Sequence, residues 1–540
     1  MPKGQGMYPR ENSIKGISIK LIVCFVLSVL VASASAESLE GGASLSDQQT
    51  GLDFFRTIES GPSRAPYLLA ANAADKGKAK SRDALFDDDE EVPPKAGVTV
   101  AKPADEAKPI NRDALFDDDD DALLKSGEKA LKKEYSSASG TKGFVQFNVA
   151  RDYQAPVHWS QMMTRLGLSS QGNFGNGVQW KLGARADYDA VFNFTDYYPN
   201  SVARNQRFNF FLLENYLDIG AGDWDFRLGK QNIVWGEMVG IFIADVVSAR
   251  NMLEFILPTF DLIRIPQWAA RAEYFKDDFH AELLWIPVAS YNDIGVPGAE
   301  FFPFDPTPIP GVETLFRNQQ YPSRTLSNTN YGVRLSTLKN GWDVSGFAYS
   351  SMDIEPTFYR QIAITPQPTE IYQARHDRIN QFGGTVAKDF GPVLLKGEAV
   401  YTRGRQFYLA QPTNIDGLVP QNTLDWALGL DFNLQPETRI NVQYYQRDFF
   451  NYDPNLISDK HESGYTLFVN HKLTNKFEAQ VTWISSFNQT DWLFRPRVMW
   501  NFEKNWLFAA GVDVFKGPPD GFFGRYDGKD RVYSELRYSF

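Results

Sequence analysis

From about residue 143 to its end, this chain alternates apolar and polar side chains, and its connections alternate between short and long. The clearest example is 425–434 followed by 438–447. Trp426, Leu428, Leu430, Phe432 and Leu434 interleave with Asp425, Ala427, Gly429, Asp431 and Asn433; then Ile440, Val442 and Tyr444 interleave with Asn441, Gln443 and Tyr445. Successive strand side chains point to opposite faces, so each segment is a strand with one greasy and one wet side. Short turns fall at 220–223, 276–278, 339–341, 389–392, 435–437, 474–475 and 503–505, and long connections at 236–266, 288–329, 351–377, 404–424, 448–462 and 514–530. A soluble sandwich has no reason to keep that parity. An all-β, antiparallel, up-and-down transmembrane β-barrel does, with short turns on one side of the membrane and long loops on the other. The count predicts about eighteen strands, within 16–18, an even number that returns the chain to its starting side. Barrels of that size enclose an aqueous lumen.

The last strand, 531–540, fits the same scheme. Val532, Ser534, Leu536, Tyr538 and Phe540 share one face, and Arg531, Tyr533, Glu535, Arg537 and Ser539 the other. It resembles the closing strand of bacterial outer-membrane barrels, which typically end in Phe. That resemblance implies insertion by a barrel-assembly machinery through Phe540, and a surround of outer-membrane lipid and lipopolysaccharide.

The N-terminal part is of a different kind. Lys3, Arg10, Lys15 and Lys20 precede an apolar run at 21–31 and then Ala34, Ser35 and Ala36. This is the layout of a secretory signal peptide at 1–36, the run being too short to span a bilayer comfortably. The single cysteine, Cys24, lies inside it, so the mature chain would carry no thiol, disulfide, cysteine-bound metal or covalently attached haem, and no cofactor is expected. Residues 37–141 are rich in Ala, Lys, Asp, Ser and Pro, which predicts a disordered acidic periplasmic tail ahead of a barrel at 142–540. SRDALFDDD at 81–89 recurs as NRDALFDDD at 111–119. Either it is a duplicated solvated spacer, or Leu85, Phe86, Leu115 and Phe116 dock into a periplasmic protein, steered by the acidic runs. Those runs lack the Gly and distal Glu of a calcium loop. The net charge of −11 argues against nucleic acid as a partner.

One long connection is not polar. Met238, Val239, Ile241, Phe242, Ile243, Val246, Val247, Met252, Leu253, Phe255, Ile256 and Leu257 dominate 236–266. Projecting freely it would be poorly soluble, so it is expected to fold inward and pack on the wall. A short helix capped by Asp245 or Ser248 and ending before Pro258 is expected within it. It resembles the constriction loop that follows the fifth strand of general porins. Around it, GDWDFRLGKQ at 222–231, VWGE at 234–237, RNMLEF at 250–255 and RIPQWAARAEY at 264–274 resemble the hallmark of a large bacterial family of outer-membrane proteins whose shared domain has no assigned function. The similarity is strongest over 209–304; it implies a porin-like barrel and brings no substrate with it.

Candidate pore-lining residues come from these segments: Glu214, Asp218, Arg227, Gln231, Glu237, Asp245, Arg250, Glu254, Arg271 and Glu273. Arg227 and Arg271 would face Glu237, Asp245 and Glu254 across the constriction, a transverse field that orders polar solutes; simple pairing of charges along the wall is the plainer alternative. An enzyme is not expected. His158, His280, His376, His461 and His471 occur singly, without Gly-x-Ser-x-Gly or His-Glu-x-x-His, and no metal site is indicated. The expectation is therefore an outer-membrane channel for small polar or amphipathic solutes, narrowed by 236–266. The alternative is the barrel of a trans-envelope assembly, for polysaccharide export or electron transfer, that recruits partners through the repeats.

Overall fold

The computed structural model describes residues 140–540 except 176, 365, 411–413 and 435–436. The signal-peptide segment, the acidic tail and both repeats lie outside the described residues.

Eighteen antiparallel strands succeed one another in chain order: β1 (Gly140–Asp152), β2 (His158–Gly175), β3 (Val178–Asp189), β4 (Phe208–Leu212 continued by Asn215–Ala221), β5 (Trp224–Gln231), β6 (Gln267–Lys276), β7 (Phe279–Val288), β8 (Asn330–Lys339), β9 (Trp342–Met352), β10 (Arg378–Asp389), β11 (Val393–Tyr408), β12 (Leu418–Leu434), β13 (Thr438–Phe450), β14 (His461–Lys472), β15 (Phe477–Ser486), β16 (Trp492–Glu503), β17 (Trp506–Lys516) and β18 (Arg531–Ser539). Each pairs with its sequence neighbours, and β18 returns to β1 in the register Phe144↔Ser539 to Asp152↔Arg531. The terminal residue completes the ring: Phe540 N–H donates to Gly143 O at 2.8 Å, and Gly143 N–H to Phe540 O at 2.8 Å. The result is a closed barrel with no sheet edge left at the seam.

The outer face carries Leu166, Leu168, Leu182, Leu217, Leu228, Leu283, Val344, Leu428 and Val442, all exposed. Aromatic rings border this band. Trp224 lies 4.9 Å from Tyr274, Phe477 5.5 Å from Trp500 and Trp506 4.8 Å from Tyr538 near the short turns. Near the long loops, Trp426 lies 5.3 Å from Tyr444 and Tyr465 5.2 Å from Phe487. A lipid-facing apolar belt between two aromatic girdles is the pattern of a membrane barrel.

The long loops are more structured than their composition suggests. Val191–Phe194 forms α1 and Asn200–Gln206 forms α2. Residues 404–424, read as a loop, are largely strand: β11 and β12 continue beyond the membrane belt as a hairpin. Glu313–Gln320, Thr357–Ala363 and Thr369–Arg375 form a small three-stranded sheet above the barrel. It packs Phe304, Phe358, Tyr372 and Ala374 into a core of its own. The main apolar core lies inside the barrel, where Trp235, Ile241, Ile243, Phe255 and Ile256 meet wall residues Phe347, Tyr349, Tyr445, Ile484 and Phe515. Each such buried side chain contributes about 1.5–3 kcal/mol relative to leaving it in water.

Candidate functional site: the lumen and its inward loop

After Gln231 the chain leaves the wall and crosses the lumen before returning at Gln267. Gly229 prepares the departure. Its φ is +132°, and a Cβ there would come 2.3 Å from Asn215 O, so no side chain fits. Trp235 then packs on Phe347 and Tyr349, ring centroids 5.0 and 5.6 Å away, and donates its Nε1–H to Glu282 at 3.1 Å.

The loop tip is held by the opposite wall. The Glu398 carboxylate on β11 accepts the backbone N–H groups of Glu237, Met238 (2.9 Å) and Ala244 (2.8 Å). Gln443 on β13 accepts Val239 N–H at 2.9 Å and donates to Val239 O. A carboxylate receiving three peptide donors in a dry site is a strong anchor, each bond to the charge being worth about 1.5–3 kcal/mol.

The return path touches three more parts of the wall. Glu254 pairs with Arg165 and accepts from Gln161 at 2.5 Å, both on β2. Phe255 adopts φ +53°, a backbone cost of roughly 1–2 kcal/mol for an L-residue. Its ring is seated 4.8 Å from Tyr526 and 5.2 Å from Phe522, and this packing offsets the cost. Arg495 on β16 donates to Leu257 O at 2.8 Å, and Arg185 on β3 to Leu262 O at 3.0 Å.

The loop's helix is displaced from its expected place. It is α3, Phe260–Ile263, after Pro258, with Thr259 at its N-cap position. Neither Asp245 nor Ser248 caps a helix. Ser248 Oγ donates to Ile233 O at 2.7 Å, Asp245 pairs with Arg264 at 3.2 Å, and Ala249–Arg250 pairs with Arg264–Ile265 as a short ladder. These tertiary bonds keep 245–250 out of a helix, with strand only at Ala249–Arg250, and override the local helical preference.

The candidate residues fall into two groups. On the wall, Arg227 and Arg271 are register partners on β5 and β6. Arg227 pairs with Asp218 at 3.1 Å, and Arg271 with Glu273 at 3.1 Å. Glu273 also meets His280 Nε2 at 3.1 Å, and Glu214 meets Lys181 at 2.9 Å. Gln231 is fully buried and donates to Arg227 O and Ala269 O, 3.1 Å each. On the loop, Arg250 donates to Asp245 O at 2.8 Å with its guanidinium 3.9 Å above the Phe242 ring, while Glu254 reaches β2 and Glu237 lies at the Glu398 anchor.

Sequence reasoning missed the residues that hold the loop (Glu398, Gln443, Arg165, Arg185 and Arg495) and the ladder of inward arginines and carboxylates beside them. Arg495 and Arg531 share Asp513 at 2.7 and 2.9 Å, and Arg497 meets Glu535 at 2.9 Å. The inward position of the anchors was legible from alternation; the loop atoms they hold, distant in the chain, were not.

A second charged cluster sits under the outer loops. His158 Nε2 lies 3.0 Å from Glu300 and 3.7 Å from Asp152, close enough for the three to be weighed as metal ligands. Lys529, 2.7 Å from Glu300, already supplies positive charge there, and Tyr198 OH donates to Glu300 at 2.6 Å. The cluster therefore works as an ion-pair knot between loops. Burial alone would raise the Glu300 pKa; the His158 hydrogen bond and Lys529 outweigh it and hold it at about 2.

A closed eighteen-stranded barrel, apolar outside and polar within, with a loop threaded through its lumen, defines a transmembrane barrel of the outer-membrane type. The chain belongs to the family described as protein of unknown function, DUF1302, whose profile matches residues 117–491. No curated protein matches the sequence. Among solved structures, it is similar to Acinetobacter baumannii OccAB2, with 11% identity, 75% of this chain and 98% of that one covered, and a TM-score of 0.45. Pseudomonas aeruginosa OccK8 (OprE) gives 9% identity, coverage of 75% and 98%, and a TM-score of 0.43. Salmonella typhi OmpF in complex with daunomycin gives 9%, coverage of 74% and 97%, and 0.39.

Proposed function

We propose that this protein is a porin-like channel in the outer membrane of a Gram-negative bacterium, passing small polar or amphipathic solutes through a lumen narrowed by 236–266, with its N-terminal tail in the periplasm. The observation that carries the reading is the crossing of the lumen by that loop, anchored on β11 and β13 at its tip and on β2, β3 and β16 on its return. A loop serving only as an external cap has no need of Glu398 or Gln443. The arginines and carboxylates of wall and loop set a field across the remaining passage that favours polar over greasy solutes. The test is liposome swelling with solutes of graded size. Wild-type protein passes small solutes and excludes larger ones, and the double variant Glu398→Ala/Gln443→Ala shifts the cut-off upward. An identical cut-off would refute the narrowing role.

A second reading rests on the duplicated RDALFDDD peptide, which a simple diffusion channel does not need. In it the barrel belongs to a trans-envelope assembly and Leu85, Phe86, Leu115 and Phe116 dock a periplasmic protein. Immobilised peptide 81–91 should then retain a periplasmic protein that its Leu85→Ala/Phe86→Ala form releases; equal retention by both forms would end that reading.

A further inference from the structure

The wall is not equally closed all round. The lower half of β4, Asn215–Ala221, is bonded to β3 on one side and β5 on the other. Its upper half, Phe208–Leu212, pairs with β3 from Tyr188↔Phe208 to Ala184↔Leu212, and with no other strand among the described residues. Its neighbour has left: β5 ends at Gln231, and β6 joins the wall only at Gln267. Between the halves, Leu213 and Glu214 form a bulge. Five residues from Leu212 to Tyr216 oppose four from Ala184 to Lys181, and the Asn215 side chain fills the kink by donating to Gly183 O at 2.8 Å. At roughly 3.3 Å per residue and a tilt near 40°, the eight residues of β5 rise roughly 20 Å, short of an apolar band roughly 25 Å tall. A notch is therefore left in the outer part of the wall. An unpaired strand edge is costly in hydrocarbon, and closed barrels avoid it.

The rim has a distinct chemistry. Phe208 and Phe210, each 61% exposed, face outward on one side, and Trp268 faces outward on the other. Between them Lys230, the last outward-facing residue of β5, lies in register with Asn215 and Trp268. Cross-strand partners share a face, so its ammonium belongs to the lipid-facing row. It makes no hydrogen bond or ion pair with any described residue, and a cation there carries a desolvation cost that grows with depth. Directly behind the notch, on the lumen side, the Arg185 guanidinium lies 4.6 Å from the Phe211 ring centroid and holds α3 through Leu262 O.

We infer that this notch is a lateral passage between the lumen and the outer leaflet for an amphipathic monoanion with one long apolar tail, a long-chain carboxylate. Lys230 pairs with its head, and Phe208, Phe210 and Trp268 hold the tail. The inference rests on the channel reading and names a solute class for it.

The test uses the full chain in zwitterionic phosphatidylcholine nanodiscs with a photoreactive long-chain carboxylate, its methyl ester, and peptide mapping. Carboxylate label should concentrate in 208–212 and 264–268, Lys230→Gln should lower that yield about fivefold, and the ester should label wild type no better than the variant. Label spread evenly over the lipid-facing rows of β8 to β10, or an unchanged yield in Lys230→Gln, would overturn the inference. So would displacement by an anionic phospholipid as readily as by unlabelled carboxylate, which would make the notch a lipid site. Conductance of the same preparation separates the two levels. A conducting barrel that fails to label defeats only the lateral passage; a barrel that does not conduct defeats the channel itself.

Discussion

The tall wall of β11 to β13 and the low wall of β4 to β6 obey the same alternation and end differently. β11, β12 and β13 run for 16, 17 and 13 residues, whereas β5 stops after 8. The residues just past the membrane belt decide the height of each strand. Arg403, Gly404, Arg405 and Gln406 carry β11 upward, polar enough to stand in water as an extended hairpin. Beyond Gln231 come Ile233, Val234 and Trp235, which are apolar without alternation and so have no place in a wall with one wet face. They turn inward, and the tall wall receives the loop through Glu398 and Gln443. Alternation sets which way a residue faces; its loss sets where the wall ends.

The sharpest way to break this contrast is Phe255→Ala, which empties the aromatic seat while leaving the backbone at positive φ. The loop should lose about 3–5 kcal/mol of local stability, read as faster hydrogen exchange at 255–257 with β11 to β13 unaffected. Exchange that accelerates equally in both walls would show that they are one cooperative unit.

Acid should act next, on the sheet above the barrel. Burial pushes the His376 pKa down to about 4, against about 6.5 in the unfolded chain. The unfolded state therefore takes up the proton first. The stabilising contribution is complete above pH 6.5 and is lost as pH falls towards 4, a change of about 3 kcal/mol. Exchange protection in 357–375 should decline through that window, and His376→Gln should flatten the profile. Unaltered protection from pH 7 to 4 in wild type would contradict it.

Glu398→Gln keeps the shape of the anchor and removes its charge. Amides 237, 238 and 244 should lose about 1.5–3 kcal/mol of protection; no change would mean the loop stays in place by packing alone. At the top of the tall wall, Asp448→Asn breaks an exposed pair with His461, 2.6 Å apart, and should cost at most about 1 kcal/mol of thermal stability. A larger loss there would make the tall wall the more fragile of the two.

Much of this contrast was legible in the residues. Alternation with loop parity led to the eighteen-stranded closed barrel, and the greasy composition of 236–266 to its inward course. The helix was misplaced because Asp245 and Ser248 spend their side chains on Arg264 and Ile233, partners that local rules cannot see. Glu398 looks like any other inward glutamate until the loop arrives from the far side. The bulge at Leu213 and Glu214 hid because one extra residue shifts the facing of β4 without disturbing the apolar–polar texture. Lys230 stood in plain sight at the end of the 222–231 segment, yet nothing in the sequence said that its neighbour's upper edge is unpaired.

Single-channel conductance in planar bilayers tests the central claim most directly, comparing the full chain with a variant in which a short Gly-Ser linker replaces 236–258. A freed lumen predicts a conductance several times that of the wild type, with a larger exclusion size. Equal conductance from a correctly inserted variant would contradict the account, because the loop would then lie outside the path of the ions.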